Sequence, residues 1–328
     1  MSDHAIIVIG ASAGGVEAVR ELLSNIPPDI GSAIFVVIHT SRDGPGLLPD
    51  LLNRVSKSPV IAAMDNGPLL PGRVYVPPLD KHLIVDRDVV RVQRGPTENN
   101  HRPSIDPLFR SAAKAYGPRV IGVVLTGFLD DGAAGLAVIK RFGGSAVVQD
   151  PEEALARSMP EAAIAAAHPD FVVRLAEMPE ILLRLSETSR SNVLPFAPPE
   201  KAERTGTPSA YVCPECKGTL WEVYDGEALR FHCRVGHNFS AESMMRSHDT
   251  AVERALWEAL RALDERADLT RRLAKKAKER NHAIAEVRFR QKTEFAKQNA
   301  EVLRRVLLNG DESQMPVTHD PKLETGTE

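Results

Sequence analysis

Three uninterrupted apolar runs constrain this 328-residue chain more than anything else in it: Ile6–Ile9, AIFVVI at Ala33–Ile38 and VIGVVL at Val120–Leu125. Each is of strand length, rich in β-branched residues, and lacks the polar alternation of a strand with one wet face. Such runs must be covered on both sides. Helix-length amphipathic stretches separate them: Gly14–Asn25, closed by Pro27-Pro28, then Leu47–Val55, Ser104–Ala115, Gly132–Phe142 and Met159–Ala167. Shorter strands are expected at Val60–Ala63, Arg73–Val76, His82–Val85, Val89–Val92, Ala146–Gln149 and Phe171–Val173. Doubly buried strands alternating with helices make βαβ units. The expected fold is therefore α/β, a doubly wound, mostly parallel sheet in three layers, over residues 4–188.

That pattern then stops. Residues 189–210, SRSNVLPFAPPEKAERTGTPSA, are rich in Pro, Ser and charge and read as a linker. A Cys/His-rich module occupies 211–239. Ser240 fits the N-cap of a region free of Pro and Gly over 240–308, expected to form a long helix or a helical hairpin. Its apolar spacing at Val252, Leu256, Leu260 and Leu263 suits docking to a signalling partner, with most of its charge on a solvated face. The polar tail 309–328 is expected to be disordered.

Charge narrows the function. Lys plus Arg number 41 against 44 Asp plus Glu, a net charge of −3, which argues against generic nucleic-acid binding. No apolar run reaches the ~18 residues of a membrane span, and the N-terminus leads straight into a strand. Neither membrane insertion nor secretion is expected, so the expected location is cytoplasmic.

All three cysteines lie between Cys213 and Cys233, a clustered, odd set that reads as metal ligands rather than a disulfide framework. The spacing C-x2-C…C-x3-H, Cys213, Cys216, Cys233 and His237, fits a tetrahedral structural zinc, with His232 the alternative fourth ligand. The intervening segment reads as a hairpin turning at Asp225-Gly226. So small a module has too little core to fold unaided, which gives a metal its role. Four protein ligands leave no open position, so no cofactor is expected in catalysis. The module is expected to stand apart from the chemistry, and a chain cut near residue 195 to keep hydrolysing small esters.

The first run ends in Gly10-Ala11-Ser12-Ala13-Gly14-Gly15, just before a helix. A dinucleotide site wants a second glycine where Ser12 stands, and an acidic residue where the second strand meets His39-Thr40. Both requirements fail. The alternative is a nucleophile turn, G-x-S-x-G, presenting the Ser12 hydroxyl beside the helix N-terminus. A plainer reading makes Ser12 the N-cap of that helix. Two further residues favour the nucleophile: His39 follows the second run and Asp131 the third, both at carboxyl ends of strands, where open parallel sheets bind ligands. A histidine can take the serine proton and a carboxylate can orient the histidine. Asp130 is the neighbouring candidate acid.

The segments IGASAGGVEAV, VVIHT, HRPSIDPLF, VLTGFLDDGAAGL and QDPEEALARSMPEAA together resemble the catalytic domain of CheB-type chemotaxis protein-glutamate methylesterases, over residues 4–188. The resemblance implies a serine esterase acting on methylated glutamates of a chemoreceptor or receptor-like protein, with Ser12 as nucleophile, His39 as base and Asp131 as acid. Backbone N–H groups at Ala13 and near Phe128 are the expected oxyanion donors, and Arg102 a candidate for attracting an acidic receptor segment. Three features depart from the family pattern. Ala13 stands where Thr is common, Phe128-Leu129 replaces Met-Gly, and no phospho-receiver domain precedes the catalytic segment in this chain, so control by phosphorylation within it is not expected. Glutamine deamidation by the same triad is a rival activity, and a non-catalytic signalling scaffold is the rival class.

Overall fold

A computed structural model of the chain describes residues 4–28, 30–191, 206–225 and 228–309. The chain divides into two compact units, the first ending at Arg246 and the second beginning at Ser247.

The first unit opens with β1 (Ile6–Ala11), α1 (Gly15–Asn25), β2 (Ala33–Ile38), α2 (Leu48–Asn53) and β3 (Val60–Ala62). After β4 (Gly67–Pro68) come β5 (Val74–Val76), β6 (His82–Asp86), β7 (Val89–Gln93), α3 (Ile105–Tyr116) and β8 (Val120–Val124). Then follow α4 (Ala133–Arg141), β9 (Ser145–Gln149), α5 (Ser158–Ala167), β10 (Phe171–Val173) and α6 (Met178–Ser191). Seven strands form one parallel sheet in the order β10-β9-β8-β1-β2-β5-β3. This is the three-layer, doubly wound sheet the apolar runs call for. Along β1, Ile6 and Val8 join Phe35, Val37 and the inner faces of α3, α4 and α5. Ile7 and Ile9 point the other way, onto Ile34, Val36 and the α1 and α6 side chains Leu22 and Leu182. Each such side chain contributes ~1.5–3 kcal/mol by leaving water, so a one-residue slip of register would be prohibitive.

Strand order reverses at β1, which has β2 on one side and β8 on the other. That juncture is where a crevice opens at the carboxyl ends. Gly10 decides how the crevice is walled: a Cβ there would lie 2.4 Å from Ile105 Cγ2, so only glycine lets the first residue of α3 sit on the β1 backbone. Two elements differ from the expectation. β4, β7 and β6 form a separate three-stranded antiparallel sheet, whose Leu83, Val85 and Val90 join the α3 side of the core. α6 was not anticipated; it closes the other face with Met178 and Leu182.

The Cys/His module is a four-stranded antiparallel sheet: β11 (Thr207–Val212), β12 (Thr219–Asp225), β13 (Ala228–Cys233) and β14 (Asn238–Ser240). Asp225 pairs with Ala228, and the turn expected at Asp225-Gly226 falls on residues 226–227, which lie outside the described residues. The segment expected as a linker is partly regular, since α6 runs to Ser191 and β11 starts at Thr207; residues 192–205 lie outside the described ones. The module's core is small: Cys213, Leu220, Phe231, Cys233, Phe239 and Met244. Ser240 caps α7 (Ala241–Glu279), its Oγ accepting from Ser243 N at 3.1 Å.

In the second unit, the remainder of α7 and α8 (Ala283–Asn309) form a helical hairpin that reverses at residues 280–282, with Asn281 at φ 58°. Ala267, Thr270, Ala274 and Ala277 on α7, with Leu260 seven residues earlier, and Thr293, Ala296 and Ala300 on α8 are buried along a seam of three- and four-residue steps. Thr293 Oγ1 donates to Thr270 Oγ1 at 2.8 Å within it. A second apolar line on α8, Ile284, Val287, Phe295, Val302 and Val306, is exposed. Among the described residues no helix is long and apolar enough to cross a membrane. The tail expected to be disordered lies outside the described residues from 310 onward.

Candidate active site

Ser12 is the first residue beyond β1. Its N–H donates to Thr126 O at 2.9 Å, which ties the turn to the end of β8. Gly14, at φ +72°, occupies the N-cap position of α1, so Ser12 is not the helix cap. Its hydroxyl faces His39 Nδ1 at 3.1 Å. His39 follows β2, and its side chain is only 6% exposed. Its other nitrogen, Nε2, lies 2.7 Å from Asp131 Oδ2. The structure thus brings Ser12, His39 and Asp131 into one line from three adjacent strand ends.

The orientation of the ring sets the proton inventory. With Asp131 ionised, Nε2 carries the proton and donates it to the carboxylate. Nδ1 then keeps a lone pair toward the Ser12 hydroxyl, which donates. In the serine-protease arrangement the two nitrogens have the opposite assignments, yet the relay is chemically equivalent.

Asp131 is held ionised by an unusually full set of donors. Ser104 Oγ lies 2.9 Å from both carboxylate oxygens, Ile105 N donates to Oδ2 at 2.7 Å, and Asn99 Nδ2 donates to Oδ1 at 2.8 Å. The first N–H groups of α3 therefore point at the carboxylate, where the helix dipole adds to the hydrogen bonds. Burial alone would raise the Asp131 pKa. The His39 hydrogen bond and charge, with the Ile105 N–H, outweigh it and hold the group well below the ordinary carboxylate range. Neighbouring Asp130 behaves oppositely: burial pushes it up to about 6, and it accepts from Ser240 Oγ at 2.8 Å instead of facing His39.

His101 lies flat on the His39 ring, centroids 3.6 Å apart and planes 7° from parallel. Burial and the His39 charge lower its pKa to about 4, so it stacks as a neutral ring. The backbone N–H groups of Ala13 and Phe128 donate to no other group among the described residues. Phe128 is 60% exposed and Leu155 81% exposed; Leu155 rests against Gly14, and Gly127 abuts Ser12. They make an apolar rim beside the hydroxyl. Arg102 is placed differently from the expectation. Its Nε and Nη2 are taken by Asp80 at 2.8 and 2.7 Å and its Nη1 by Gly95 O at 2.6 Å, so it braces loops.

Reading the sequence did not show the buried polar shell behind Asp131, although Asp106 lies in the HRPSIDPLF segment that the resemblance places near the site. Glu98 takes both Nη atoms of Arg110 at 2.7 Å, and Asp106, itself fully buried, accepts from Gly135 N at 2.7 Å and Asn99 Nδ2 at 3.1 Å. The one local signal was Asn99-Asn100, whose consecutive positive φ angles of 50° and 66° suit asparagine.

Cys213, Cys216, Cys233 and His237 bring one ligand atom each to within 4.8 Å of one another. His232 pairs across the strands with Trp221 and stacks on it. The expectation that this module stands apart from the chemistry is overturned. Asn99 N donates to Asn238 O at 2.9 Å, Ser240 N donates to Asn99 Oδ1 at 3.1 Å, and Arg230 reaches Asp106 at 2.9 Å and Glu98 at 3.0 Å. Its docking strands bring backbone groups to Asn99 and the Arg230 guanidinium to Asp106 and Glu98, contacts that no motif encodes.

Residues 7–182 match the family model described as CheB methylesterase. The chain is 36% identical over 186 residues to the protein-glutamate methylesterase/protein-glutamine glutaminase of Hydrogenovibrio crunogenus, covering 56% of this chain and 49% of that protein. It thus spans about half the length of that relative. A Leptospira interrogans protein named provisionally for the same two activities is 37% identical over 188 residues, covering 57% of this chain and 97% of its own length. Among solved structures, the Thermotoga maritima CheB methylesterase catalytic domain superimposes with a TM-score of 0.54 at 31% identity, covering 56% of this chain and all of that one.

Proposed function

The chain belongs to the CheB methylesterase family, and from that premise we propose that it is a serine esterase that converts glutamyl methyl esters of a chemoreceptor-like protein to glutamate and methanol. The observation that carries this reading is the continuous line Ser12–His39–Asp131, at 3.1 and 2.7 Å. Ser12 Oγ bonds to the ester carbonyl carbon while its proton passes to His39 Nδ1. Asp131, kept ionised by its donors, stabilises the imidazolium. The N–H groups of Ala13 and Phe128 receive the oxyanion. As the bond to methoxide breaks, Nδ1 returns the proton and methanol leaves. Water then repeats the sequence on the acyl-Ser12 ester, releasing the glutamate and restoring the serine. The apolar rim of Phe128 and Leu155 suits the methyl group and the aliphatic stem of the substrate.

Ser12→Ala is expected to lower methanol release from a methylated receptor by at least about 10³-fold, with the melting temperature unchanged, because the half-buried hydroxyl adds little packing. Near-normal release would remove Ser12 from the role. The relatives' names carry glutaminase activity as well, and attack on an amide needs the same groups; ammonia release from an unmodified receptor measures it. A chain using this fold only to bind partners would release neither product.

We also propose that the Cys/His cluster holds a structural zinc. Zn–S bonds of about 2.3 Å place tetrahedral donors about 3.7 Å apart. Three of the six separations are 3.7 Å for Cys216 to Cys233, 3.7 Å for Cys213 to His237 Nδ1 and 3.3 Å for Cys233 to His237 Nδ1, and all six lie within 4.8 Å.

A further inference from the structure

The module around Cys213–His237 has a core of six buried residues, too few to hold a rigid surface by themselves. Yet it presents rigidly placed groups to the triad's supporting shell. Arg230, 13% exposed, sits on β13, which ends at the ligand Cys233. Asn238 and Ser240 lie on β14, which starts directly after the ligand His237. Cys233 N donates to His237 O at 3.0 Å and Gly236 N to Cys233 O at 3.0 Å, so the two ligands and the two docking strands form one knuckle. Whatever fixes the ligands fixes the strands.

Those strands reach Asp131 through one side chain. Asn99 Oδ1 accepts from Ser240 N at 3.1 Å, and Asn99 Nδ2 donates to Asp131 Oδ1 at 2.8 Å. Its amide is thereby oriented by the module and spent on the triad acid. Charge follows the same path. Glu98 and Asp106, two buried carboxylates beside Asp131, are paired with Arg110 and Arg230. Removing Arg230 leaves Asp106 without its closest cation in a dry environment. Asp106 then keeps only Arg110, at 3.7 Å, as a cation, and takes up a proton or pulls Asn99 Nδ2, which already donates to it at 3.1 Å, away from Asp131.

We propose that the Cys/His module is a positioning element of the esterase site: metal held by Cys213, Cys216, Cys233 and His237 keeps β13 and β14 in place, so that Arg230 neutralises Asp106 and Asn99 stays on Asp131. Esterase turnover is therefore metal-dependent although the metal touches no reacting atom. This rests on the esterase reading above. Arg230 and Asn99 are positioning residues, acting through Asp131 on His39.

The test uses the full chain with bound zinc verified by metal analysis. Arg230→Met, Arg230→Lys and wild type are assayed on a small activated ester, and the low-field proton resonance of the His39 Nε2–H···Asp131 bond is followed by NMR. Arg230→Met is expected to lower kcat about 10²-fold, with KM changed less than about twofold and the low-field resonance broadened or lost. Arg230→Lys is expected to recover most of both signals. Chelating the metal from wild type should reproduce the Arg230→Met values, and adding zinc should reverse them. Chelation of Arg230→Met should have little further effect, because both changes break one path. If Arg230→Met does not fold, chelation and zinc restoration of wild type decide the question alone. The proposal is overturned if metal-free wild type keeps its kcat and its resonance, or if purified protein contains no metal. Failure of the esterase reading is separate: wild type would then release no methanol and a serine-directed phosphonate would not label Ser12. The resonance would still report whether the module positions Asp131.

Discussion

Asp130 and Asp131 share a peptide bond and a buried setting, yet their partners drive them in opposite directions. Asp131 is surrounded by donors and His39, and so ionises; Asp130 has one hydroxyl and retains its proton to about pH 6. Asp131→Asn is expected to cost about 10⁴-fold in kcat, since an amide NH2 facing Nε2 donates to it and favours the tautomer protonated on Nδ1, which leaves no lone pair toward Ser12. Asp130→Asn should leave methanol release within a few-fold of wild type. The two also differ in how pH acts on stability. Asp131, with its native pKa depressed, stabilises the fold above the unfolded value near 3.8 and loses that contribution as pH falls below it. Asp130, with its native pKa raised, favours the fold most below about 3.8, and that advantage erodes as pH rises through about 6. Asp130→Asn should therefore raise the melting temperature relative to wild type at pH 7.5 and less at pH 4.5, a difference worth about 2 kcal/mol. Thermal melts at the two pH values measure it, and an equal effect at both would contradict the buried-acid account.

At the scale of elements, the site depends on where α3 begins. Ser104 and Ile105 donate to Asp131 only because Ile105 packs directly on Gly10. Gly10→Ala is expected to push α3 off β1. Overpacking of this kind costs about 1–3 kcal/mol, measurable by urea denaturation. The displaced Ile105 N–H should also lower kcat about tenfold or more at an unchanged KM. Loss of stability with full turnover would mean that the helix N-terminus is not needed to hold the carboxylate. The α7–α8 hairpin obeys a simpler rule. Alanine and threonine line its seam, and the Thr270–Thr293 hydroxyl pair lies inside it.

The two units have separate cores, one layered on a parallel sheet and one along a helical seam. Protection against hydrogen exchange should follow that division. The slowest amides are expected in β1, β2 and β8, which are buried throughout. Amides of residues 250–305 should exchange through their own, lower-energy opening. A single common protection level over both would show that the units unfold together.

The central sheet was readable because doubly buried strands must be continuous apolar runs, and nothing else of that length and composition satisfies the backbone so cheaply. The placement of Ser12, His39 and Asp131 at one edge was readable for a related reason: His39 directly follows such a run, Ser12 and Asp131 follow theirs after a short turn, and a parallel sheet sends all its strand ends to one edge. The Cys/His quartet was readable from spacing alone, since metal chemistry restricts both residue type and separation. Tertiary structure decided the rest. α6 and the antiparallel β4-β7-β6 sheet exist because two faces of a core had to be closed, a requirement that spans the whole chain. The shell of Asn99, Glu98, Asp106, Arg110 and Arg230 carries no local signature, because a buried carboxylate needs a counter-charge in space rather than in sequence. Arg230 lies 124 positions from Asp106 and 2.9 Å from its oxygen, and only the packing of β13 on the catalytic unit makes those two facts compatible.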